Sequence, residues 1–441
     1  MINDFLKYSE DRKLFKLQDN ILLAVSGGID SMVMADLFVK TGGKIAIAHC
    51  NFSLRGRDSD LDEELVIKFS AANNIRIFTK RFNTLKYASQ NHISVQMAAR
   101  DLRYGWFEEL RKEGGFDRIA VAHNLNDNIE TLLINLTRGT GITGLAGMKP
   151  LSNNIIRPLL FATRNRIADY ANTFDVPFRE DKSNAETKYI RNRIRHKILP
   201  LLMEINPSVE ATLNETALRM AGADEIVNLY TDQLRKKLIS KKKSYLSVNL
   251  SDLNHWLHNQ TLIFELFRPY GITGSQVRDL IDVIEGKTGT RIITDNFRII
   301  RNREELLITG HAQKKILSFR VNEINDFHSI SRVESAKIID ISEDFSISRD
   351  PMTGCFDSEN IKWPVIIRKW KPGDFFYPLG MDHRKKISDY LTDIRCPLPE
   401  RESALVMESA GRIFWLAGRR IDNRFRITAT TKRALVINLN F

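Results

Sequence analysis

Four short runs rich in apolar and β-branched residues, Ile21–Val25, Lys44–His49, Ile75–Phe82 and Arg118–Ala122, recur through the first half of the chain. Each is separated from the next by a stretch whose apolar residues return every three or four positions, as on one face of a helix: Asp30–Lys40, Asp58–Asn73 and Ser94–Lys112, with Asn126–Thr137 after the last run. Strands that alternate with helices do not close hairpins. They lie parallel, joined by helical crossovers, so the pattern predicts an α/β fold with a Rossmann-like parallel sheet. Ligands on such a sheet sit at the carboxyl ends of the strands.

A chain of 441 residues exceeds one ordinary domain, since roughly 150 residues per domain is the usual expectation. Beyond Pro150 the sequence becomes helical and basic, with Thr163 as a cap for Arg164–Phe174 and a further helix through Tyr189–Met203. Asn206-Pro207-Ser208 reads as a break before a mainly helical stretch, 208–310, that ends in a strand-like run, Thr290–Ile308. From about Ile316 strands dominate, punctuated by Pro372-Gly373 and Pro378-Leu379-Gly380. The expected organisation is therefore residues 1–205 as the α/β domain, 206–315 as a helical middle domain and 316–441 as a small α+β domain.

At 43% hydrophobic and 27% charged residues the composition is that of a soluble globular protein, and no run of about 18 apolar residues is present to span a bilayer. The first residues, MINDFLKYSEDRKLFK, carry no secretory or transit pattern, so residence in the cytoplasm is the expectation. A net charge of +12 suits a polyanionic partner, although a merely basic soluble enzyme would look the same. Cys50, Cys355 and Cys396 form no C-x-x-C pair, which argues against a zinc ribbon, a cluster or a disulfide framework.

The first strand runs straight into Ser26-Gly27-Gly28-Ile29-Asp30-Ser31 and a helix. The glycines let the backbone turn tightly, and free N–H groups at the helix start would face an anion, with the Ser26 and Ser31 hydroxyls as further donors. No Gly-Lys-Ser/Thr follows, so this is not the ordinary P-loop. The plain alternative is a serine-glycine turn that only caps a helix. Asp127 and Glu130, three apart near a helix start, share a face on which two carboxylates suit an ammonium ion; compensation of the helix dipole is the competing explanation. Arg100 and Arg103 are placed to clamp phosphate or to form a solvated face. Arg191, Arg193, Arg195, His196 and Lys197 crowd one short helix and suit RNA backbone or a nucleotide phosphate.

The glycine loop resembles the PP-loop of the N-type ATP pyrophosphatases. Further blocks resemble the tRNA(Ile)-lysidine synthase family in order and spacing: Ala99-Arg100-Asp101-Leu102-Arg103-Tyr104, Ala122-His123-Asn124-Leu125-Asn126-Asp127-Asn128-Ile129-Glu130-Thr131, Arg157-Pro158-Leu159-Leu160, Glu180-Asp181-Lys182-Ser183-Asn184, and Arg191-Asn192-Arg193-Ile194-Arg195-His196. The likeness resumes at Lys371-Pro372-Gly373-Asp374 and Lys385-Lys386-Ile387-Ser388-Asp389-Tyr390-Leu391. It implies a ligase that adenylates the wobble cytidine of tRNA(Ile) with a CAU anticodon at the oxygen on carbon 2. The amine of free lysine then displaces AMP.

ATP and Mg²⁺ are the implied cofactors, with Asp30 acting through the metal and Ser26, Gly27, Gly28, Ile29, Asp30, Ser31 and His49 around the nucleotide. Arg103, Asp127 and Glu130 join Asp30 as implied catalytic residues, and Arg100, Arg191 and Arg195 as implied substrate contacts. Basic residues near the end, Lys369, Lys371, Arg384, Lys385, Lys386, Arg419, Arg420 and Arg424, are candidates for a tRNA surface. A homodimer is compatible with the resemblance. Two positions depart from the family: Asn126 precedes Asp127 where two aspartates are usual, and Phe52 stands where a second histidine is common. The competing functions are a PP-loop tRNA thiolase, an amide-forming enzyme of small metabolites and a non-catalytic tRNA-binding protein.

Overall fold

The computed structural model describes residues 1–180, 190–311, 318–342 and 345–440. The chain forms two compact units, Met1–Val227 and Asn228–Phe441.

The first unit begins with α1 (Ile2–Asp11), followed by β1 (Asn20–Ala24), α2 (Ile29–Lys40), β2 (Lys44–Asn51), α3 (Arg57–Ala72) and β3 (Arg76–Arg81). Next come α4 (Thr84–Asn91), α5 (Val95–Glu113), β4 (Arg118–Val121), α6 (Leu125–Arg138), α7 (Ile142–Leu145), β5 (Leu151–Ser152), β6 (Ile155–Ile156) and α8 (Arg164–Thr173). The sheet order is β3-β2-β1-β4-β6-β5, parallel except for the β5–β6 edge pair. Strand boundaries fall within one or two residues of those expected, and Ser94 and Thr163 cap α5 and α8 by accepting from the Met97 and Arg166 N–H groups.

The reason for the continuous apolar run in β1 is that both faces of the sheet are covered. Ile21 and Leu23 point into a core with Met34 and Phe38 of α2 and Ile167 of α8, whereas Leu22 points to the other side, against Trp106 and Phe107 of α5. From β1 the chain moves outward through β2 and β3, then returns to place β4 on the opposite side of β1. The carboxyl ends of β1 and β4 therefore flank a switch point, the place where such sheets bind ligands.

The helix expected over Tyr189–Met203 is broken into α9 (Ile190–Arg193), a π-helical turn at Ile194–Ile198 and α10 (Leu199–Ile205). Pro200 cannot donate to the carbonyl four residues earlier and its ring would strike it, so a wider turn precedes it. Tyr189 and the Asp181–Asn184 block lie outside the described residues. A 30-residue helix, α11 (Val209–Leu238), follows.

The stretch expected to be mainly helical holds more strand than its periodicity suggests. β7 (Ile239–Lys241) and β8 (Leu246–Asn249) precede α12 (Leu250–Asn254), α13 (Gln260–Phe267) and α14 (Val277–Glu285). They join β9 (Arg291–Ile293), β10 (Phe297–Asn302) and β11 (Glu305–Gly310) in an antiparallel sheet, β7-β8-β11-β10-β9, packed on those helices through Ile263, Leu280, Ile299 and Leu306. The last part of the chain is α+β, as expected. A five-stranded and a three-stranded sheet share a core that includes Phe356, Phe414, Trp415 and Ile437. Of the basic residues near the end, Lys385, Arg419 and Arg424 are engaged in ion pairs with Asp393, Glu400 and Asp422. Among the described residues no helix is long and apolar enough to cross a membrane.

Phe38 carries much of the packing behind the first strand, its ring edge-on to Phe5 at 5.2 Å and 4.9 Å from Phe15. Phe38→Ala should destabilise the first unit by ~3–5 kcal/mol, read as a lower denaturant midpoint in far-UV circular dichroism. A midpoint equal to wild type would mean that this cluster does not hold the unit together.

Candidate active site

Gly27 adopts φ +90°, a left-handed conformation natural only to glycine, and a Cβ there would come within 3.3 Å of the Asp62 side chain and carbonyl on α3. The Ser31 hydroxyl donates to the Gly28 carbonyl at 2.8 Å and accepts from the Ser26 N–H at 3.1 Å. These bonds curl residues 26–31 into a closed cup. No side chain caps α2, unlike α4, α5, α6 and α8. Its first-turn N–H groups, at Ile29, Asp30 and Ser31, therefore have no intrahelical acceptor and suit an anion.

Asn124, fully buried, joins this cup to the start of α6. Its Oδ1 accepts from the Asp127 N–H at 3.0 Å, its N–H donates to Asp127 Oδ2 at 3.2 Å, and its Nδ2 donates to Asp30 Oδ1 at 2.9 Å. Burial raises the Asp30 carboxyl above its usual range, and the Asn124 bond opposes that rise. Asp127 thus does perform the helix-capping duty that its position suggests. It does more as well.

Arg164, the first residue of α8, reaches both acids: one guanidinium nitrogen is 2.8 Å from Asp127 Oδ1 and the other 3.1 Å from Glu130 Oε1. Arg195, in the π-helical turn, meets Glu130 at 2.7 and 3.2 Å and approaches Asp127 at 3.8 Å. Glu130 is completely buried, and a buried carboxylate requires such partners. Asn126 does not point to this cluster. It accepts from the Arg164 N–H at 3.0 Å and donates to Glu210 of α11 at 2.5 Å, so the amide at this position serves as a brace between helices.

The other predicted residues stand apart. Arg100 lies over the Tyr104 ring and Arg103 over Phe52, at 4.9 and 5.2 Å, and neither makes an ion pair among the described residues. Arg191 donates to the Thr131 hydroxyl at 3.2 Å. His49 is 2% exposed, with Nδ1 2.9 Å from the Val25 carbonyl; that carbonyl can only accept, so Nδ1 carries the proton and Nε2 is a bare acceptor. Nε2 has no partner among the described residues, and burial lowers the pKa of the ring.

Residues 2–202 match the family model of the PP-loop domain, 241–313 that of the TilS substrate binding domain and 365–438 that of the TilS substrate C-terminal domain. The chain is 37% identical to the tRNA(Ile)-lysidine synthase of Bacteroides thetaiotaomicron over 98% of both chains. It is 35% identical to that of Parabacteroides distasonis over 99% of both, and 32% to that of Porphyromonas gingivalis over 95% of this chain and 93% of the relative. The chain belongs to the tRNA(Ile)-lysidine synthase family. It is accordingly an ATP-using PP-loop enzyme.

Sequence reasoning missed Arg164, Asn124 and the duty of Asn126. A signal for Arg164 was available: an arginine in the first turn of a helix opposes the dipole, and such a residue needs a carboxylate elsewhere. Asn124 followed three residues later by Asp127 is likewise a readable capping pattern.

His123, between β4 and Asn124, also went unassigned. Its pKa is held down to about 3, first by burial and then by the nearby charges of Arg157, Arg191, Arg103 and Arg100. A histidine whose folded pKa lies below its ordinary 6.5 stays neutral while the unfolded chain takes up a proton. Its contribution to stability is full above pH 6.5 and is lost as pH falls toward 3. His123→Gln should flatten the dependence of the first unit's stability on pH in that window by up to about one proton, ~1.4 kcal/mol per pH unit. Urea titrations at pH 4.5, 5.5 and 6.5 measure it, and parallel pH dependences in the two proteins would refute the assignment.

Proposed function

We propose that this chain joins free lysine to carbon 2 of the wobble cytidine of tRNA(Ile) bearing a CAU anticodon, at the cost of ATP. In the first step the cytidine oxygen takes the adenylyl group and pyrophosphate leaves. In the second, the lysine side-chain amine attacks carbon 2, gives up a proton and displaces AMP. The observation that carries this reading is the Asn124–Asp30 hydrogen bond, which couples the glycine cup to the Asp127–Glu130 pair.

The cup's N–H groups would hold phosphate oxygens. Asp30 Oδ1 is engaged by Asn124, while Oδ2 has no partner among the described residues. A carboxylate oxygen is the hard donor that Mg²⁺ prefers, so Asp30 would be the residue to hold the ion. When bound there the ion would neutralise phosphate charge. Arg103 and Arg100, with unspent donors, are suited to the departing phosphates or the RNA backbone.

Acidic side chains support the lysine assignment: Asp127 and Glu130 stand together at the start of α6, held by Arg164 and Arg195, and Asn124 ties Asp127 to Asp30. Asp127, partly exposed, is the acid an incoming amine can reach, and Glu130 is the buried anchor that fixes both arginines. The thiolase alternative has less to draw on: burial pushes the Cys50 thiol up to about 12 and raises Cys396, and Cys355 is buried. A thiol kept protonated is a poor sulfur carrier.

Incubation with ATP, Mg²⁺, labelled lysine and total bacterial tRNA should put label into RNA. Asp30→Ala and Asp127→Ala should each reduce that incorporation by about a hundredfold or more, the scale for loss of a positioned charged group. If AMP and pyrophosphate form in a tRNA-dependent way but no lysine enters, the nucleophile assigned here is wrong and the loop assignment survives.

A further inference from the structure

The glycine cup is also gripped from behind, by residues that the reading above does not use. The Gly27 carbonyl accepts the backbone N–H of Arg179 at 3.0 Å. In a planar trans peptide the carbonyl and the following N–H point in opposite directions, so this bond turns the Gly28 N–H into the cup, where the Ser26 hydroxyl lies 3.4 Å away. The Arg179 side chain is itself tied down. Its Nε donates to Asp62 Oδ1 and its terminal nitrogen to Asp58 Oδ1, each at 2.9 Å. Arg55 takes the remaining Asp62 oxygen at 2.8 Å. Asp62 is also the residue that a side chain at position 27 would strike.

Two acids of α3 thus stand behind a loop built for phosphate, where unpaired they would repel it. Two arginines cancel them, and one of those arginines also supplies the backbone donor that sets the loop's peptide plane. We propose that Arg179 is a positioning residue for the nucleotide: its side chain, latched to Asp62 and Asp58, holds its N–H on the Gly27 carbonyl and so keeps the Gly28 N–H turned toward the phosphates. This rests on the reading of the cup as the ATP site.

The test uses the full chain with Mg²⁺ and a fluorescent ATP analogue, together with KM values for ATP and lysine and a thermal melt. Arg179→Ala should weaken analogue binding and raise the KM for ATP by about tenfold, leaving the KM for lysine and the melting temperature near wild type. Arg179→Lys, which keeps the charge and the N–H, should recover part of the loss, and Asp62→Asn should reproduce part of it. The proposal fails if Arg179→Ala binds the analogue as wild type does, or if ATP and lysine KM values rise together with a lower melting temperature. Wild type that does not bind the analogue at all would instead overturn the assignment of the cup, and the latch with it.

Discussion

Asn124 is the side chain on which the active-site arrangement depends. It closes the first turn of α6, and the same amide reaches across the sheet's switch point to Asp30 on α2. Such a bridge exists only because β1 and β4 are adjacent and parallel, so that both following helices start at the same edge. A residue that merely capped a helix could be serine or aspartate. Serine is too short to span to Asp30, and aspartate would set a second negative charge against it. Asparagine alone offers an acceptor to the Asp127 N–H and a donor to a carboxylate in one rigid plane.

The buried acid imposes the next constraint. Glu130 lies inside the first unit, fully buried, and two arginines from separate segments compensate its charge. This couples parts of the chain that are distant in sequence: α8 and the π-helical turn are both fastened to α6 by their guanidiniums. The wide turn before Pro200 belongs to the same requirement, since it sits where Arg195 must reach inward. Some of the chain's positive charge is therefore structural.

What was legible in the sequence follows from the range of the forces involved. The strands, the crossover helices and the glycine loop are set by patterns within a few residues, and they were readable. Thr163 was readable as a cap for the same reason, whereas Ser94, expected as the first helical residue, caps α5 instead. Arg164 was seen only as the start of a helix, because its partners lie 34 and 37 residues earlier. β7 and β8 escaped because three- and four-residue strands carry no periodicity of their own: β8 is fixed by pairing with β11, and β7 by pairing with β8. Asn126 looked like a damaged catalytic position. It is a brace whose meaning depends on Glu210, 84 residues away.

The arginines divide by what neutralises them, a distinction their sequence spacing does not reveal. Arg164, Arg179 and Arg195 are each bound to two carboxylates, and their guanidiniums have few donors left. Arg100 and Arg103 rest on aromatic rings, which orient a guanidinium without consuming its hydrogen bonds. Phe52 accordingly has a use although it replaces the histidine usual at its position: it supports an arginine from its face and takes up none of its N–H groups. Among the described residues, Arg100 and Arg103 thus keep donors that no carboxylate takes, whereas Arg164, Arg179 and Arg195 use theirs to fasten separate segments of the first unit together.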